Sequence, residues 1–145
     1  EFRRVLFRSE SAVELFKGKR ILVASTDVHE HALYVLAELI NTAGGSVINI
    51  GAEKSPDEVI EEAVRENAEL VLISTHNGMA LAYARHIQEE MQERQYHVPV
   101  VMGGVLNQKV DDSSIPVEVA KEIQDMGFET CRHVIDLIDI VRERY

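Results

Sequence analysis

The sequence predicts an α/β domain: a doubly wound parallel sheet of about five strands with helices on both faces. Three observations lead there. Short apolar runs alternate with stretches whose apolar residues recur at helical spacing. The joins between them carry glycine, proline and capping residues. The runs are continuously apolar, as strands covered on both faces are. At 145 residues the chain fits one domain, and its net charge of −10 gives no electrostatic footprint for nucleic acid. No apolar run approaches the ~20 residues of a membrane helix, so no membrane association is expected. Cys131 is the only cysteine, which excludes an internal disulfide and fits a reducing cytoplasm.

The elements follow in order. The opening EFRRVLFRS is basic and lacks capping logic; residues 1–9 read as a non-native leader, and the domain as residues 17–145. Three arginines against one glutamate in that leader leave the remainder at −12. Arg20 to Ser25 (RILVAS) reads as the first strand. From about His29 to Thr42 the residues Leu33, Leu36, Ala37 and Ile40 share one helical face, and Gly44-Gly45 ends it. SVINI makes a second strand. Ser55-Pro56-Asp57-Glu58 then starts a helix with a cap, a proline at its first position and early acids, followed by an inward stripe of Val59, Ile60, Ala63 and Val64. Leu70 to Ser74 is a third strand, and Ala80, Ala84, Ile87 and Met91 mark a third helix. HVPVVMGG is a fourth strand, and Asn107 to Ile115 reads as a polar loop. Pro116 is expected to open a helix buried through Val119, Ile123 and Met126. Phe128 to Cys131 is a short fifth strand, and Val134, Leu137, Ile138 and Val141 lie on the last helix.

In such a sheet, ligands sit outside the carboxyl ends of the strands. Three of those ends carry unusual residues: Asp27-Val28-His29, Ser74-Thr75-His76 and Gly103-Gly104. Each has a plain alternative. Asp27 with Glu30 reads as a helix cap, Ser74-Thr75 as capping hydroxyls, and the glycines as a tight turn. His86, His97 and His133 read as surface or edge residues. Neither G-x-G-x-x-G nor G-x-x-x-x-G-K-[ST] occurs, which removes the usual dinucleotide and P-loop readings. A histidine two residues after the aspartate supplies a metal ligand together with the carboxylate that orients it. One such histidine cannot build a zinc site, which needs three or four protein ligands. The metal should therefore arrive with most of its coordination filled, as cobalt does in a corrin.

The sequence here resembles the cobalamin-binding domain of the mutases and methionine synthases, from about Lys17 to about Thr130. The family's D-x-H-x-x-G is matched by Asp27-Val28-His29-Glu30-His31-Ala32, its S-x-L in part by Ser74-Thr75-His76, and its G-G by Gly103-Gly104. The resemblance implies a flavodoxin-like sheet, cobalamin bound base-off with His29 on cobalt, and Asp27 as the partner of His29. It also implies that Ser74 meets the displaced base and that Gly103-Gly104 lies against the nucleotide tail. A β-branched residue at Gly104 is expected to block the tail and leave the sheet folded. The pattern differs at Ala32, at His76, and in the absence of a P-G-T after the last strand, where Gly127-Phe128-Glu129-Thr130 stands. With no helical module ahead of the domain, the resemblance implies the small subunit of an adenosylcobalamin-dependent carbon-skeleton mutase of glutamate-mutase or methylmalonyl-CoA-mutase type. Adenosylcobalamin is then expected over methylcobalamin, with a larger (β/α)8-barrel subunit as partner and no activity alone. Two alternatives stay open: a corrinoid methyl-transfer domain, and a non-enzymatic flavodoxin-like domain that has lost cobalamin.

Overall fold

The computed structural model describes residues 15–110 and 115–144; the leader at 1–9 lies outside them. Five parallel strands form the sheet: β1 Arg20–Ser25, β2 Ser46–Gly51, β3 Leu70–Thr75, β4 Val100–Gly104 and β7 Glu129–Cys131. Their order is β2-β1-β3-β4-β7. Helices α1 His31–Thr42, α2 Pro56–Arg65, α3 Ala80–Glu93, α4 Ala120–Asp125 and α5 Val134–Arg144 complete the alternation. Between β4 and α4 lies a two-stranded antiparallel arm, β5 Asn107–Gln108 and β6 Val117–Glu118.

The side-chain period of two splits each strand between two cores. Leu22, Ala24, Val71, Ile73, Val100 and Met102 pack on α2, α3 and α4 through Val59, Ile60, Ala84, Ile87 and Ile123. Ile21, Val23, Leu70, Leu72 and Val101 pack on α1 and α5 through Leu33, Leu36, Ile40, Leu137 and Ile138. All six residues of β3 are buried, so the sheet's centre has no polar face to spare. The register aligns the strand ends: Ser25 with Ser74, Ser74 with Gly103, Thr75 with Gly104, and Gly103 with Cys131. Every residue type singled out at the sheet edge thus falls in adjoining rows.

Six local expectations are corrected. Helix α1 starts at His31, because the Asp27 carboxylate draws the His29 backbone into a turn ahead of it. Leu39 is buried on α1, whereas Ala37 is only half-buried. Val64, at the margin of the α2 stripe, is 41% exposed. The segment after β4 is a tethered arm: Gln108 bridges Met79, its Oε1 accepts the Ala82 N–H at 2.9 Å, and Lys109 N–H reaches Gly78 O. Pro116 therefore leads into β6. Val119 N–H returns to Leu106 O at 2.9 Å, and α4 begins only at Ala120, where Glu118 Oε1 accepts the first amide. Met126, expected on the buried side, is half-buried beyond the helix end. No helix among the described residues is long and apolar enough to cross a membrane.

Candidate functional site

The chain leaves β1 through α1 to β2 on one side, then returns through α2 to β3 on the other. That reversal opens a crevice at the carboxyl ends of β1 and β3. Asp27 stands in it, its side chain only 10% exposed, and each carboxylate oxygen has a separate task. Oδ1 accepts the His29 backbone N–H at 3.0 Å and lies 2.7 Å from His29 Nδ1. Oδ2 accepts the backbone N–H of His76 at 2.6 Å, tying the loop after β1 to the loop after β3. Burial pushes the Asp27 carboxyl up, but the His29 amide and ring and the His76 amide reverse this and hold it below the ordinary 3.8. The group is thus a carboxylate at neutral pH, and it orders two loops at once.

The capping alternative fails on this geometry. The cap position of α1 is Glu30, with no side-chain cap bond, and Asp27 is committed to His29 and His76. Ser74 and Thr75 do not cap α3 either. Both belong to β3, and Thr75 Oγ1 pairs with Thr26 Oγ1 at 2.8 Å, while Asn77 Oδ1 accepts the Met79 amide next to α3. A capping box does exist at Ser55-Glu58, where the spacing predicts it. His29 itself is 64% exposed, with its Nδ1 held by Asp27. His76 is exposed, its ring centroid 5.3 Å from that of His29 and tilted 52° to it.

Beside this pair a cavity of about 140 Å³ runs between α1 and the β3–β4–β7 strand ends. Ala32, Ser74, His76, Gly103 and Gly104 line it, together with Leu36, Val101, Cys131, Arg132 and His133. The cavity is mainly apolar and close to the ~150 Å³ that accepts a benzene ring in another protein. Absent side chains shape it. A Cβ on Gly103 would approach Cys131 Sγ to 3.0 Å, and one on Gly104 would strike the Thr75 carbonyl oxygen and come within 2.9 Å of His76 Cε1. Gly104 also has φ +104, a region closed to β-branched residues. The expectation that valine at 104 leaves the sheet intact is therefore corrected: the substitution strains the backbone itself. Burial pushes the Cys131 thiol up to about 11, so it is a protonated wall of the cavity.

The structure brings together the sequence-predicted residues Asp27, His29, Ala32, Ser74, His76, Gly103 and Gly104. Val28 lies at the same edge and is 66% exposed. Missed by the sequence reading were Arg132 and His133, which line the cavity from the end of β7. Their position after the fifth strand was the available signal. His86 and His97 are exposed and away from the site, as expected.

The family model described as B12 binding domain matches residues 19–124. Glutamate mutase sigma subunit 1 of Haloarcula marismortui is 29% identical over 107 residues, spanning 74% of this chain and 69% of that protein. The 2-hydroxyisobutanoyl-CoA mutase small subunit of Aquincola tertiaricarbonis is 30% identical over 111 residues, 74% of this chain and 75% of that one. A novel cobalamin-binding protein from Desulfitobacterium hafniense DCB-2 superposes on 99% of this chain and 70% of its own, with TM-score 0.72 at 16% identity, a likeness of fold. The chain belongs to the B12-binding domain family and is related to mutase small subunits.

Proposed function

We propose that this B12-binding domain would hold cobalamin base-off, with His29 as the residue that binds cobalt, and serves as the cofactor-carrying subunit of an adenosylcobalamin-dependent carbon-skeleton mutase. One observation carries the reading: His29 Nδ1 is fixed 2.7 Å from a carboxylate while the rest of its ring is open at the sheet edge. A neutral imidazole held this way offers Nε2 as a donor of fixed tautomer and raised basicity. The donor set suits a metal that brings its own equatorial ligands, and the cavity beside it suits a flat ring.

Each residue then has a task. Asp27 orients His29 and, through the His76 amide, keeps the crevice walls in register. Ala32, Ser74, Gly103 and Gly104 form the channel for the nucleotide tail, where small residues leave room for it. Val28, with Met79 and Val105 exposed on the loops of this edge and Val117 exposed on β6, would give the corrin an apolar seat. Bound adenosylcobalamin supplies a homolysable cobalt–carbon bond, hence an organic radical. Shielding that chemistry from water needs a cover beyond what the described residues form. A larger substrate-binding (β/α)8-barrel subunit, docked on the same edge, is the partner that fits.

The test is spectroscopic. Reconstitute the purified chain with cobalamin, reduce it to the cobalt(II) state, and compare electron paramagnetic resonance of samples with natural and nitrogen-15 histidine. A change in the superhyperfine splitting is expected, and an identical pattern defeats the ligation. Turnover of glutamate or an acyl-CoA by the chain with adenosylcobalamin alone would defeat the subunit role.

A further inference from the structure

We propose that the cobalamin-free protein carries a site for a zinc-class divalent ion built from Asp27, His29 and His76, and that this ion and cobalamin exclude one another. From the sequence, one histidine at the edge is too few for zinc. The fold supplies a second. Asp27, His29 and His76 offer three ligand atoms that all lie within 4.8 Å of one another. Three protein ligands and a water make the open type of zinc site, and two imidazoles with one carboxylate are a donor set that borderline divalent ions accept.

The Asp27–His29 pair is close to the spacing such an ion needs, and His76 brings a ligand atom within 4.8 Å of both. Ligands at ~2.0–2.1 Å in a tetrahedron stand about 3.3 Å from each other. Asp27 Oδ1 and His29 Nδ1, now 2.7 Å apart across a hydrogen bond, would open by about half an ångström. The ion takes the proton's place between them, and that proton passes through solvent to Nε2, so the imidazole stays neutral. His29 is 64% exposed and free to make the turn. Asp27 meanwhile keeps Oδ2 on the His76 amide at 2.6 Å, so it binds the ion through Oδ1 alone and stays anchored.

His76 is the third ligand. Its ring is wedged beside Gly104, where an added Cβ would come within 3.0 Å of Nε2, and it is tilted 52° to His29 instead of stacked on it. The two rings stand on the loops that follow neighbouring parallel strands, whose register pairs Ser25 with Ser74. Exclusion follows from the atoms. With the ion on His29 Nδ1 the ring proton sits on Nε2, the atom that cobalt ligation needs, so the two cannot share this imidazole. This last point alone rests on the cobalamin reading; the ion site does not.

The experiment titrates untagged, metal-free protein with zinc chloride by calorimetry, then repeats it with His76→Leu and His29→Ala. One ion per chain is expected, with affinity falling by ~10-fold or more in each variant, since loss of even a ligand's orienting partner costs ~10–100-fold. Circular dichroism confirms folding, and His76→Gln provides a second probe should the leucine variant fail to fold. Hydroxocobalamin uptake should be suppressed by zinc in the parent chain and restored in His76→Leu. No zinc uptake, or equal uptake by the parent chain and the His76 variants, overturns the site. Undiminished cobalamin uptake by the zinc-loaded parent chain overturns the exclusion. Zinc bound through His76 with no cobalamin uptake in any variant would instead fell the cobalamin reading and leave the ion site standing.

Discussion

The two halves of the carboxyl edge are built by opposite means. At the β1–β3 ends the site consists of added groups: a carboxylate with one oxygen on each neighbouring loop, two imidazoles, and the Thr26–Thr75 hydroxyl pair at 2.8 Å. At the β4–β7 ends it consists of groups left out, with Gly103, Gly104 and Ala32 making room for a cavity walled by Leu36, Val101 and Cys131. The first half is polar, bonded and tolerant of change at its tips. The second is apolar and intolerant of bulk, because a close-packed wall offers an added methyl nowhere to go. Chemistry is assigned to the first and shape to the second, and each can be broken separately.

The largest effect is expected from His29→Ala. It removes the donor from the polar half and should abolish the nitrogen splitting in the cobalt(II) spectrum while the protein's thermal melting barely moves, since the ring is 64% exposed. Ala32→Leu is the matching lesion in the apolar half. Leucine is a good helix former at this position of α1, so the fold should persist while its side chain fills the cavity. Equilibrium dialysis should then show strongly weakened cobalamin uptake; normal uptake would mean that no tail enters there.

Asp27→Ala should be milder for binding, weakening it by ~10–100-fold as loss of a ligand's orienting partner does elsewhere. It should also alter the stability profile with pH. The Asp27 carboxyl is held below its ordinary 3.8, so its contribution is complete above that value and lost as pH falls through the depressed one. Melting temperatures of the parent and Asp27→Ala chains should differ by a constant amount at neutral pH and converge in acid below about pH 4. A gap that widens in acid would contradict the sign.

The smallest effect concerns Cys131. With its thiol pushed up to about 11, alkylation by iodoacetamide should be slow at pH 8 and accelerate steeply toward pH 10. Rapid labelling at pH 8 would mean that the cavity wall opens to solvent.

Much of this was legible in the chain. The runs RILVAS and LVLIS, the stripe Ala80-Ala84-Ile87-Met91 and the box at Ser55-Glu58 all act through neighbours a few residues apart, so they read directly. The arm formed by β5 and β6 did not, because Asn107-Gln108 and Val117-Glu118 carry no strand pattern; Met79 and Ala82 on another element hold it in place. The same division runs through the site. Asp27 and His29, two residues apart, disclose their bond in sequence, whereas no pattern shows that the second oxygen of Asp27 goes to His76, 49 residues on.

By itself, then, the sequence determined the alternation of strands and helices, the edge at which chemistry collects, and the pairing of one histidine with one carboxylate. Periodicity and short spacing encode those, since burial of an amphipathic face and contact across two residues are local events. Only the tertiary structure decided that Gly104 cannot accept a side chain, that Ala32 and Cys131 face one cavity, and that His76 stands beside His29. Those depend on strand order and register, which the long-range packing of two cores fixes and no short stretch of chain contains.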